Sequence, residues 1–583
     1  MEKWSLDALY KGYDEAFESS VKAIESLIEE ADAFATSLDQ KGDETKRLKQ
    51  YIDLASRLRS KMLKAYAYVS LRLSTDAQDE DSNAWMNKMQ QLSSKTTDYT
   101  TKVSKWIPTI EGLSELIEND ADLKPFAFHL ESIKDRAKYV LSDKEERIIS
   151  KLTQTGSSAW GRLQSLLTSI VEVDYEGQVV TLSDIRNKAH SKDASVRKKA
   201  YEAEIEAYKK VEHAVAAALN SIKGEVNEVS SLRGFESPLD EAVYNSRMQR
   251  KTLDALIRSM EKHLPMFRKY LKRKAEILGH KNGLPWYDLF APLGKSNREF
   301  SSKEAIDYVV KNFKTFGDDL ASLAERSYKE SWIDFTPRSG KRGGAFCFNL
   351  HPIKQSRILM NFDGSFSNVI TLAHELGHAY HGDRIFKEPI LNSSYTMPVA
   401  ETASTLCETI VKKAALEDSS GEEQLFILEQ SLMGTTQVIV DIMSRYLFEK
   451  NVFEARQSTP ISPPKLKAMM LEAQKASYGD ALDENVMHPY MWVNKGHYYS
   501  GGLSFYNFPY AFGLLFAKGL YAKFQSGGKA FAKDIDHLLQ KTGQMSVEDV
   551  AALVGIDVSD EAFWDASLKV IEDEINLFLK ITA

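Results

Sequence analysis

His374-Glu375-Leu376-Gly377-His378 has the residue types and the spacing to hold a metal ion and use it. Ring nitrogens four residues apart on a helix can close on one zinc, and the intervening Glu can reach a water bound there. Zinc lowers the pKa of such a water to about 7, so a carboxylate can take its proton at neutral pH. The chemistry therefore needs a helix over residues 367 to 382. Ser367 is a good N-cap and Gly382 a plausible stop. At about 100° per residue, His374, His378 and His381 fall on one side, while Val369, Leu372, Leu376 and Ala379 fall on the other.

A catalytic zinc needs three protein ligands and one open position. The position ten residues after His374 is Arg384, so a third His at that spacing is excluded. His381 would put all three nitrogens on one straight helix, where its reach is poor; it reads as a polar neighbour of the site. The better third ligand is Glu401, on a second helix opened by Pro398. Glu401, Ser404, Thr405 and Glu408 share its polar face, and Ala403, Leu406 and Ile410 its apolar one. Glu408 can hold a ligand His by the other ring nitrogen, or can simply be a solvated helix charge. The expected centre is one Zn2+ on His374, His378 and Glu401, with Glu375 as the general base.

His-Glu-Leu-Gly-His at 374 to 378, followed by Ala-Glu-Thr-Ala-Ser at 400 to 404, resembles the thimet oligopeptidase family of zinc metallopeptidases, and most its oligoendopeptidase F branch. Arg-Ser-Gly-Lys-Arg-Gly-Gly-Ala-Phe-Cys (338 to 347), Tyr-Asp-Leu-Phe-Ala-Pro-Leu (287 to 293) and the His- and Tyr-rich run at 497 to 510 carry the same resemblance. It implies a mainly α fold with two helical lobes around a deep substrate channel and a small β-sheet beside the zinc helix. It implies a zinc-dependent endopeptidase that hydrolyses short oligopeptides. It also implies that a Gly-rich loop presents a His and tyrosines to the scissile carbonyl as charge builds there. Tyr510 lines up best, because a helical Ala-Phe-Gly-Leu-Leu-Phe run follows it; His497 and Tyr506 join it. Tyr499 matches less well, since the spacing from His497 to Tyr510 departs from the mammalian members. Each Tyr alone can equally be a half-buried packing aromatic. The expected division is an N-terminal helical lobe over residues 1 to 190 and a catalytic domain over 191 to 583.

The rest of the chain must position these groups. With 583 residues it can bury a large core. Periodicity predicts helices at Asp14–Leu38, Glu44–Leu73, Asp143–Ile170, Lys251–Leu278, Ser302–Phe316, Asp318–Ser331, Glu422–Arg456 and Pro464–Tyr478. Their charge runs read as solvated faces. Glu176-Gly177 between β-rich flanks predicts one hairpin, and the runs at 345 to 350 and 357 to 362 predict another just before the zinc helix. An extended peptide could pair with such a strand, and Gly343 and Gly344 permit close approach. The glycine-rich run lacks phosphate-loop spacing, so no nucleotide site is read there.

Acidic residues outnumber basic ones 83 to 75, a net charge of −8, which favours neither nucleic acid nor an anionic membrane surface. The two cysteines, Cys347 and Cys407, do not form a disulfide framework, and a reducing cytoplasm fits. The N-terminus has no apolar signal core, and no run of about 18 apolar residues spans a membrane. Two other readings stay open: a zinc exopeptidase of the metallocarboxypeptidase kind, and a helical binding protein with a vestigial metal site.

Overall fold

The computed structural model describes residues 2–583, and the chain is mainly helical with one two-stranded and one three-stranded sheet. Helices Glu15–Ser37 and Glu44–Thr75 start on the side chains of Asp14 and Asp43, each accepting from the backbone N–H three residues on. Phe17, Val21, Ile24, Ile28, Ala31 and Ala35 recur at helical spacing and are buried. Around them forms a first apolar core, its fully buried members drawn from Leu9 to Leu130 with Leu350 and Leu391 added from later in the chain. A second, larger core begins at Val171 and runs to Phe578.

Between the two cores the expected helix Asp143–Ile170 is broken into Asp143–Thr155 and Ser157–Ile170. The cause is a carboxylate from far along the chain. Glu225, on the long helix Ala194–Leu232, accepts from the Ser157 N–H at 2.6 Å and from the hydroxyls of Ser157 and Thr153. An acid at a helix N-terminus is favourable, so it starts a new helix there. The expected run Glu422–Arg456 also changes pitch: Gln437–Asp441 forms a π turn between Gly421–Thr436 and Ile442–Arg456. Strands β1 (Val173–Tyr175) and β2 (Gln178–Val180) pair across Glu176-Gly177, both at positive φ, as a tight two-residue turn requires.

Strands β3 (Ile333–Asp334), β4 (Phe346–Leu350) and β5 (Gln355–Leu359) form the other sheet in the order β3-β5-β4, with β4 antiparallel to β5. Side chains alternate across β4. Phe346, Phe348 and Leu350 pack against the first core, while Asn349 points to the helix that carries His374 and His378, where its amide donates to the His378 carbonyl at 3.1 Å.

That helix spans Phe366–Ile385, and its cap is Ser365 rather than the expected Ser367. The Ser365 hydroxyl accepts from the Asn368 N–H at 3.3 Å. Nor does Gly382 end the helix. It lies inside, where a Cβ would come within 2.3 Å of the Asn349 Oδ1, so its smallness serves packing against β4. After a loop, a short turn Met397–Ala400 leads to Glu401, and a new helix runs Thr402–Glu417. Among the described residues, no helix is long and apolar enough to cross a membrane.

Candidate active site

His374 and His378 project from one helix, and Glu401 sits at the junction that opens the next. The two helices approach closely at Gly377, where a Cβ would meet the Ser404 Cα and the Ala403 carbonyl at 2.6 Å. The result is a cluster of three ligand atoms. The two Nε2 atoms are 3.1 Å apart, and Glu401 Oε2 is 3.4 Å from His374 and 3.5 Å from His378. The edge of a tetrahedral zinc site with bonds near 2.05 Å is about 3.3 Å. These residues therefore fit the ion, in both donor type and spacing. Among the described residues, this is the one group of three or more His, Cys, Asp or Glu with such spacing.

Neighbouring groups hold the donors in place. Glu408 Oε1 lies 2.6 Å from His374 Nδ1, which assigns the proton to that nitrogen and leaves Nε2 free to ligate. Lys412 donates to the other Glu408 oxygen at 2.6 Å, and the Ser404 hydroxyl donates to Glu401 Oε2 at 2.8 Å. Burial works to raise the Glu408 pKa, but Lys412 and His374 outweigh it and keep the carboxyl well below its usual range. Burial opposes a charge on His374 too, yet Glu408, Glu401 and Glu375 lift its pKa to about 9; a site that attracts a proton this way attracts any cation. His378, where burial dominates, falls to about 4 and stays neutral, so its approach to Glu401 is not an ion pair.

Glu375 is 5% exposed, and its Oε2 has no hydrogen-bond partner. Burial pushes its pKa up to about 7, with Glu401 and Glu408 adding to the rise and His374 opposing it. A carboxyl poised near neutrality beside three ligand atoms suits proton transfer.

The other expected residues divide. The Tyr506 and Tyr510 hydroxyls are 2.7 Å apart and bond to each other, not to the cluster. Tyr510 lies close enough to Glu401 to feel its charge, which adds to burial and the Tyr506 hydroxyl in raising its pKa. His497 turns to the Asn507 amide at 2.8 Å, with its ring 5.7 Å from that of Tyr506, and burial takes its pKa down to about 3. Tyr499 is buried and donates to the Trp492 carbonyl at 3.0 Å, so it is a packing residue. His381 is fully buried, stacks on Tyr395 at 4.1 Å and bonds to the Thr542 hydroxyl, away from the ligand atoms. Sequence reasoning missed Lys412 and Asn349. The i,i+4 pair Glu408–Lys412 was a usable signal for the first; no local pattern points to the second.

Comparison with known proteins bears on the lineage and the fold. Residues 188–570 match the model of "Peptidase family M3", and residues 110–172 that of "Oligopeptidase F". Oligopeptidase PepF of Bacillus subtilis is 25% identical over 98% of this chain and 86% of its own length. A solved chain from Chlamydophila abortus superposes with a TM-score of 0.87 at 21% identity, covering 100% of this chain and 98% of that one. The oligoendopeptidase-F structure from Enterococcus faecium superposes at 0.71 with 18% identity, covering 98% of this chain and 99% of that one. These two likenesses establish the fold, and the family match over most of the length establishes the lineage: the chain belongs to peptidase family M3, and is a peptidase.

Proposed function

We propose that this peptidase is a zinc-dependent endopeptidase acting on short oligopeptides. The observation that carries the reading is Glu375, a buried carboxyl with an unpartnered oxygen, set beside the three atoms of His374, His378 and Glu401 that would hold the metal. When bound there, zinc supplies Lewis acidity toward a water molecule and toward the peptide carbonyl. Glu375 takes a proton from the attacking water, whose oxygen bonds to the carbonyl carbon. The carbonyl oxygen becomes an oxyanion, toward which the hydroxyls of Tyr510 and Tyr506 donate; His497 is the third donor candidate. The C–N bond then breaks, and Glu375 passes its proton to the departing amine.

β4 is an edge strand of its sheet and lies against the helix that carries His374 and His378, so an extended peptide can add to it as a further strand. The preference for short substrates rests on the relatives named oligopeptidases. An exopeptidase would need a dedicated pocket for a chain terminus. A structural metal site would not need Glu375.

The test uses peptides blocked at both ends, in graded lengths, with and without chelator. Internal cleavage that chelator abolishes and zinc restores is expected; no cleavage of blocked peptides sinks the endopeptidase reading. Glu375→Gln should keep its zinc and lose turnover by about 100- to 10,000-fold. A fully active Glu375→Gln enzyme removes the base assignment.

A further inference from the structure

The ring of His497 is held by a relay of side chains that begins well away from the metal cluster. Its Nε2 lies 2.8 Å from the side-chain nitrogen of Asn507, the residue just before helix Phe508–Lys541. On the other side of that amide, Arg445 Nη1 donates to Asn507 Oδ1 at 3.2 Å. The second terminal nitrogen of Arg445 donates to Asp441, the last residue of the π turn. Asp441 and Asn507 are both buried, so water does not compete freely for these bonds.

A guanidinium donates from every nitrogen and accepts nowhere. The atom of the Asn507 amide turned to Arg445 must therefore be the oxygen. That leaves the amide nitrogen facing His497, and it can only donate. Nε2 is then the bare, accepting nitrogen of the ring. Burial, with Arg445, Lys223 and Lys495 adding to it, takes the His497 pKa down to about 3, so the ring is neutral at pH 7 and carries one proton. In a neutral imidazole that proton has one other place to sit, which is Nδ1. Among the described residues no group pairs with Nδ1, and the ring is half-buried.

The helix that carries Arg445, Ile442–Arg456, grips the same segment at two more points. The Tyr498 hydroxyl donates to the Arg445 carbonyl at 3.3 Å, and the Phe505 ring lies 5.4 Å from that of Phe453 and 5.7 Å from that of Tyr446. Phe505 holds a φ of 54°, a left-handed conformation that a bulky residue keeps only where its surroundings impose it.

We propose that Asn507 and Arg445 are positioning residues that hold His497 as the Nδ1–H tautomer, so that Nδ1 is the atom it offers to a peptide. The tautomer follows from the relay alone. Its use on a peptide rests on the reading of His497 as a donor in the proposed reaction.

The test labels the histidines of the full chain with nitrogen-15 and, with zinc present, reads two-bond proton–nitrogen correlations at neutral pH. His497→Ala identifies the His497 signals among the 12 histidines. A protonated Nδ1 with a bare Nε2 is expected in the parent, and a proton on Nε2 overturns the proposal. Asn507→Asp turns the donor into an acceptor of the same shape, paired with Arg445, and should put a proton on Nε2. Asp441→Asn combined with Arg445→Met removes both charges of the buried pair together, so neither is left uncompensated. The amide is then free to turn, and both tautomers should be populated. An unchanged Nδ1–H form in either folded variant overturns the proposal. Turnover gives a separate readout. Asn507→Asp should lower kcat by up to the roughly 100- to 1000-fold of a lost donor, with zinc and KM retained. It should lower kcat no further in a His497→Ala background. A shifted tautomer with parent turnover upholds the relay and ends the donor role of His497, so the two failures are told apart.

Discussion

Replacing Gly377 by Ala tests whether the contact between the helices that bring His374, His378 and Glu401 together sets the geometry of the candidate metal site. In a helix, Gly→Ala is ordinarily worth about 1 kcal/mol of stabilisation. Here the added Cβ would lie 2.6 Å from the Ser404 Cα and the Ala403 carbonyl, and ordinary contact starts at 3.4 Å. Both neighbours are backbone, so one helix must retreat by about 0.8 Å; metal sites tolerate ligand displacements of about 0.2 Å. Overpacking costs about 1–3 kcal/mol, which reverses the usual sign. The retreat also draws Glu401 away from His374 and His378. Metal affinity should then fall by at least the 10- to 100-fold typical of losing a group that orients a ligand. The assay is zinc competition against a chromophoric chelator, at a temperature where circular dichroism shows the variant folded. A Gly377→Ala protein that melts at or above the parent temperature and binds zinc equally well would refute this account of the contact.

Glu408→Gln should lower zinc affinity by about 10- to 100-fold, because His374 loses the carboxylate that fixes its Nδ1 proton; equal affinity in a chelator competition contradicts that role. Tyr510→Phe should cut kcat by about 100- to 1000-fold with zinc retained, and Tyr506→Phe by less. If both variants turn over at the parent rate, the oxyanion is stabilised elsewhere. His129, stacked on Tyr51 in the first core and bonded to its hydroxyl at 2.8 Å, has its pKa taken by burial from 6.5 down to about 4. Between these values the unfolded chain binds the proton and the folded chain does not, so stability present above pH 6.5 is lost as pH falls toward 4. His129→Gln should flatten the dependence of the urea midpoint on pH in that window; an unchanged slope assigns the acid sensitivity to other groups.

The grouping of His374, His378 and Glu401 was legible from the helical period together with the second segment. Two imidazoles at i and i+4 must share a face, and Pro398 opening a second segment makes Glu401 the better candidate acid. Boundaries were harder to read, because distant groups decide them. Ser365 and Ser367 are equally good caps by type, but the chain leaving β5 brings Ser365 to the helix start. Gly382 resembles a stop signal until Asn349 of β4 is seen lying on it. The break at residue 156 belongs to Glu225, which no pattern within Asp143–Ile170 announces. The tyrosines divide by burial, and burial depends on what packs from elsewhere: Tyr499 meets the Trp492 carbonyl, while Tyr506 and Tyr510 keep hydroxyls facing each other.

β4 is one strand thick and serves two masters. Its phenylalanines and Leu350 are rooted in the bundle built by the first 130 residues, and the residue between them, Asn349, grips the backbone of a ligand histidine. A swing of that bundle therefore works as a lever on His378, with the strand as its rigid arm. Cutting the bundle away would leave a greasy seam open within one side chain of His378. The amino-terminal helices are in this sense a support for the candidate site, and removing residues 2–130 would strip Phe346, Phe348 and Leu350 of the core they pack against.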